Sequence, residues 1–105
     1  MIIDGRNVQR SLWPNIPSDE LVELVRAWAA REDVEPLVVF DGVAPFAADD
    51  VVGTGRESAD DWIAREARGY APYWLVTSDR ELRSRAGGDA ERVLGGGSFA
   101  RTLTR

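Results

Sequence analysis

The chain has no histidine and no cysteine, and none of its 13 basic residues is a lysine. These absences remove most side-chain chemistry. Without histidine there is no base for a serine or cysteine hydrolase triad. Without histidine or cysteine there is no zinc site built on nitrogen or sulfur. Without lysine there is no Gly-Lys-Ser/Thr phosphate loop and no Schiff base. Disulfides are excluded as well, which fits a cytoplasmic location. Long apolar runs are also missing: nothing approaches the roughly 20 residues of a membrane span. The chain enters a strand directly at Met1, which leaves no room for a signal peptide. Any catalysis here has to come from carboxylates, with or without a metal ion.

At 105 residues the chain is expected to form one domain, 1–105, around a single core. The formal charge of −5 argues against a broad nucleic-acid-binding face, because phosphate binding is mostly electrostatic. Divalent cations gathered on one patch reverse that argument locally. The arginines near the strand ends (Arg6, Arg10, Arg56, Arg80, Arg83 and Arg85) would then form a basic rim.

The apolar pattern predicts alternating strands and helices. Residues 1–4 read as a short buried strand and Gly5 to Pro17 as a loop, with Pro14 and Pro17 barring a long helix. Ser18 reads as the cap of a helix of about 14 residues, whose apolar stripe is Leu21, Leu24, Val25, Trp28 and Ala29. A second strand spans 36–40, and Val51-Val52 is a strand stub. A helix begins near Ser58 and stops at Gly69. Tyr73–Thr77 is a strand, and Ser78-Asp79-Arg80-Glu81 is a capping box opening a helix closed by Gly87-Gly88. Ala90–Leu94 is the last strand, Gly95-Gly96-Gly97 a flexible turn, and Ser98 the cap of a final helical turn. Such alternation implies a parallel sheet of four to five strands with helices on both faces.

In a sheet of this kind the ligand crevice lies beyond the carboxyl ends of the strands. Asp4, Asp41 and Asp79 each follow an apolar run and fall at such ends. Glu57 and Asp60 stand three apart at the start of a helix, a spacing that shares one helical face. Carboxylates gathered at one point raise one another's pKa values and call for a hard cation, Mg²⁺ or Mn²⁺. Each acid also has a plain structural reading. Asp4-Gly5 and Asp41-Gly42 suit turns. Acids in a first helical turn complement the dipole, and Asp61 and Glu81 are assigned to capping. Trp13, between prolines, either stacks on a base or plugs the core, and it or the loop at Phe46 offers a homodimer interface.

Four segments taken together, Ile3-Asp4-Gly5-Arg6-Asn7-Val8, Val38-Val39-Phe40-Asp41-Gly42, Glu57-Ser58-Ala59-Asp60-Asp61-Trp62-Ile63 and Thr77-Ser78-Asp79-Arg80, resemble the NYN-domain family. The likeness is to its YacP-like branch, within the PIN-like nuclease superfamily, and covers Ile2 to about Leu103. The resemblance implies a three-layer PIN-like α/β fold and metal-dependent cleavage of RNA, single-stranded by expectation. It makes Asp4, Asp41, Glu57, Asp60 and Asp79 the acidic set, with Asn7 and Ser78 as polar neighbours. Arg6 and Arg80 are the expected contacts to flanking phosphates. The competing expectation is a PIN-like domain that keeps its acids but only binds RNA or protein.

Overall fold

Ile2 and Ile3 open the chain with two apolar side chains that a strand must point to opposite faces. Both faces of that strand therefore need cover. In the computed structural model, which describes residues 1–105, this strand is β1 (Ile2–Asp4), and it lies at the centre of a five-stranded sheet. The other strands are β2 (Leu37–Phe40), β3 (Val51–Gly53), β4 (Trp74–Val76) and β5 (Arg92–Leu94). Their order is β3-β2-β1-β4-β5, and every pairing is parallel. The chain winds outward through β2 and β3, then returns to the other side of β1. The strand order reverses between β1 and β4, which is where an open α/β sheet leaves a crevice.

The helices are α1 (Gly5–Arg10), α2 (Ser18–Glu32), α3 (Ala59–Glu66), α4 (Arg80–Ala86) and α5 (Gly96–Leu103), with a 3₁₀ turn at Ala67–Tyr70. Ile3, Val38, Phe40 and Val76 pack with Val8 of α1, Val22 and Val25 of α2, and Phe99 and Leu103 of α5. The alternate strand residues Ile2, Leu37, Val39 and Leu75 pack with Ile63 of α3 and Leu82 of α4. The two cores thus follow the period-2 alternation of the strands, and the expected layered α/β architecture is present. Trp28, Trp62 and Trp74 are half-buried. No helix is long and apolar enough to cross a membrane.

Several boundaries differ from expectation. The stretch read as a loop from Gly5 begins with α1, which follows β1 without a connecting residue. Its six residues hold one buried apolar side chain, Val8, so there was no periodicity to read. Gly5 makes the abrupt transition possible: a Cβ there would lie 2.9 Å from both the Phe40 ring and the Val39 carbonyl oxygen. Pro17, not Ser18, is the N-cap of α2, and the Ser18 hydroxyl accepts from Gln9 instead. The cap of α4 is Asp79 rather than Ser78. The last strand is shorter than read, Arg92–Leu94.

The glycine triplet is no flexible turn. Gly95 caps α5, and Gly96 and Gly97 are its first residues. Gly96 is buried against α1, where an added Cβ would collide with Asn7 Oδ1. Glycine is costly in a helix, but here it permits the close approach of two helices. We predict that Gly96→Ala lowers stability by about 1–3 kcal/mol through overpacking. The check is urea unfolding, where the midpoint falls at constant slope; an unchanged midpoint would show that Asn7 yields freely.

Candidate functional site

A strand that ends in Asp at the sheet's centre carries its carboxylate into the crevice. Asp4 does so, and it and Thr77 are the two polar residues counted among the buried set. Its Oδ2 accepts a hydrogen bond from Thr77 Oγ1 at 2.9 Å. The same Thr77 hydroxyl accepts from the Asp79 backbone N–H at 3.1 Å. One hydroxyl therefore ties the end of β1 to the turn after β4. Asp79 caps α4, its Oδ1 accepting from Leu82 N–H at 3.0 Å. Asp41, just beyond β2, uses Oδ2 to accept from Ala59 N–H at 3.1 Å, at the first residue of α3. That contact sets the helix start that carries Asp60.

These four aspartates line one open cavity of about 510 Å³ with Arg6, Asn7, Arg10, Ser11 and Ser58. No hydrophobic side chain lines it. The pattern of hydrogen bonds is consistent: Asp4, Asp41 and Asp79 each have one named oxygen fixed by a protein donor. Such bonds orient a carboxylate, and in Asp41 the second oxygen is taken up by Arg6. Asp41 Oδ1 also lies 3.6 Å from Arg6 Nε.

Charge is not balanced in this cavity. Burial pushes the Asp4 carboxyl up to about 6, with the Asp60 and Asp41 charges adding to the rise and the Thr77 hydrogen bond opposing it. Asp60 is also raised, first by burial and then by the charges of Asp79, Asp41 and Glu81, against the weaker opposing influence of Arg85. Outside the cavity some acids are paired with arginine. Asp61 bonds to Arg85 at 2.7 Å, which holds its carboxyl low. Asp50 is held low by Arg26, which it meets through two hydrogen bonds.

The donor set suits a hard cation in type, being oxygen only. As the side chains stand, however, no three acids are disposed to grip one ion together. Mutually repelling carboxylates spread when nothing lies between them, and an ion would have to draw them in.

The structure brings together Asp4, Asp41, Asp60 and Asp79 of the expected acidic set, with Arg6 and Asn7. Glu57 is not among them: it lies in the turn before the cap Ser58, outside the helix, so the helical i, i+3 spacing does not apply, and its side chain pairs with Arg65. Arg80 does not line the cavity either, because as the first residue of α4 it is turned to solvent. Ser78 is a brace: its N–H donates to Asn7 Oδ1 at 2.9 Å, and its Oγ accepts from Gly96 N–H at 2.8 Å. Of the expected rim, Arg10 faces the cavity, while Arg83 donates to the Thr77 carbonyl and Arg85 is committed to Asp61. Ser58 caps α3 as expected, accepting from Asp61 N–H. Thr77 and Ser11 carried no signal, since a threonine ending a strand and a serine after a helix are ordinary.

Asp4 yields a pH prediction. Its folded pKa of about 6 lies above the unfolded value of roughly 3.9. The folded state then holds the proton more tightly, so this contribution to stability is complete below about pH 4 and is lost as pH rises through 6. Asp4→Asn keeps an acceptor for Thr77 and removes the buried charge. In EDTA we expect this variant to be more stable than wild type at pH 8 by on the order of 1–3 kcal/mol, with the gain vanishing near pH 4. Paired urea titrations at the two pH values check this.

Comparison with protein-family models, with curated proteins and with solved structures gives no match to this chain. The resemblance to NYN domains therefore rests on the four sequence segments alone.

Proposed function

We propose that the chain is a metal-dependent endoribonuclease that hydrolyses phosphodiester bonds of single-stranded RNA at the aspartate cavity. One observation carries the reading. Four aspartates from three strand ends and a helix start line a wholly polar cavity, and the buried one lacks a cationic partner. Several acids elsewhere in this molecule are paired with arginine; Asp4, which stands at the N-cap position of α1, and Asp60 are not.

On this reading Asp4, Asp41, Asp60 and Asp79 hold Mg²⁺ or Mn²⁺. When bound, such an ion supplies Lewis-acid activation of water and stabilises charge on the leaving oxygen. The protein's share is positioning. Thr77 fixes the rotamer of Asp4 and, through the Asp79 N–H, its spacing from α4. Asp41 anchors α3 and so sets the depth of Asp60. Arg6 and Arg10, one turn apart on α1, present guanidiniums to the phosphates on either side of the scissile bond. Glu57 and Arg80 have no part in it.

The second reading is a module that binds RNA or protein without cutting. It is favoured by the spread of the acids, no three of which are disposed to hold one ion, and by the formal charge of −5.

Two measurements decide between them. With Mn²⁺ and labelled single-stranded RNA, we expect cleavage by wild type and a loss of at least about 100-fold in Asp4→Asn. Equal activity in the two proteins removes the enzyme reading. Millimolar Mn²⁺ is expected to raise the thermal midpoint of wild type by mass action and not that of Asp4→Asn. No shift in either favours the binding module.

A further inference from the structure

A tryptophan side chain in water is costly and needs a reason. Trp13 is 90 % exposed and Val43 is 91 % exposed. They are the two most exposed large apolar side chains of the molecule. Neither plugs the core, so of the two roles open to Trp13 in the sequence only surface contact remains.

Their location is specific. Next to the aspartate cavity lies a second one of about 230 Å³. Arg6, Arg10 and Asp41 line both, so the two form one continuous groove. Ser11 lines the first cavity and Asn15 the second. Trp13 is two residues from each, which puts its Cα within about 7.6 Å of both. Val43 also lines the second cavity. Arg10 makes no ion pair, and the Asn15 side chain makes no hydrogen bond within the protein. A groove with an unpaired guanidinium and an unused amide in its lining, and a bare indole two residues along the chain from that lining, has the parts of a nucleotide subsite.

We propose that this second cavity binds the nucleobase adjacent to the phosphate held at the aspartates. Trp13 stacks on the base, Val43 lines its cavity, and Arg10 takes the intervening phosphate. The inference rests on the reading of the larger cavity as the place where a polynucleotide strand is engaged. It adds the direction the strand takes, along α1 toward Trp13, and a base-dependent part of the affinity. Stacking tolerates any base, because every base offers a flat face. Asn15, whose side chain makes no hydrogen bond within the protein, is placed to prefer some bases by hydrogen bonding.

The test is anisotropy with a short labelled single-stranded RNA and an abasic strand of equal length, in Ca²⁺ buffer. Trp13→Ala is expected to weaken binding of the RNA roughly 5- to 100-fold and to leave the abasic strand unchanged within about two-fold. Its melting temperature should match wild type, since the side chain packs on nothing. Equal RNA affinity in the two proteins overturns the proposal, as does a wild type that does not distinguish the two strands. A dimer that Trp13→Ala converts to monomer, with RNA affinity unchanged, assigns the face to a second copy of the chain and also overturns it. Failure here is separable from failure of the catalytic reading. Base-dependent binding without cleavage leaves the subsite standing, whereas cleavage with an unaltered KM in Trp13→Ala removes the subsite alone.

Discussion

The hydrogen bond from Thr77 Oγ1 to Asp4 Oδ2 holds the whole carboxyl-end face in register. It is buried, and its two partners lie 73 residues apart in sequence. The same hydroxyl receives the Asp79 N–H, so the turn leaving β4 cannot move independently of the end of β1. The Asn7–Ser78–Gly96 chain of hydrogen bonds braces the next layer and links α1, that turn and the start of α5. Buried polar networks are costly when half satisfied and rigid when complete. This one is complete: no buried side-chain nitrogen or oxygen lacks a partner. The cavity walls are therefore stiff even though its charges are unbalanced.

That imbalance is local. Around the surface, Asp50, Asp61 and Glu57 are matched by Arg26, Arg85 and Arg65. Exposed pairs of this kind contribute little to stability, typically under about 1 kcal/mol. One of them also keeps an arginine from the cavity. That arginine is Arg85. It is close enough to lower the Asp60 carboxyl slightly, yet its hydrogen bond goes to Asp61. A free guanidinium folded onto Asp60 would neutralise the site from within, and the Asp61 pairing holds it away.

What the sequence disclosed follows from how each signal arises. Apolar runs that stop at an acid are visible in one dimension, so Asp4, Asp41 and Asp79 were legible, as was the parallel sheet that gathers them. Glu57 was misread because the i, i+3 rule holds only inside a helix, and the helix begins two residues later, after Ser58. Asp79 was taken as free for function, yet it carries the α4 cap with one oxygen. Helix α1 was hidden, since six residues with one buried apolar side chain give no period. The glycine triplet looked like slack chain because nothing in sequence reveals that Asn7 presses on Gly96. Thr77 was invisible for the same reason: its meaning lies wholly in a partner at the other end of the chain.

The acidic balance and the proposed substrate need not conflict. Four carboxylates face two guanidiniums in the larger cavity, so without a cation its potential repels a phosphate chain. Along α1 the sign changes, because Arg6 and Arg10 lie on the side leading to Trp13. On the proposed reading a strand is attracted to the groove and enters the cavity only once a divalent ion offsets the aspartates. Linkage makes this coupling reciprocal: whatever factor the ion adds to strand affinity, the strand adds to ion affinity. On the proposed reading the aspartates lose their mutual repulsion only with a cation in place, and Asp4, whose carboxyl burial already raises, is the one most in need of it.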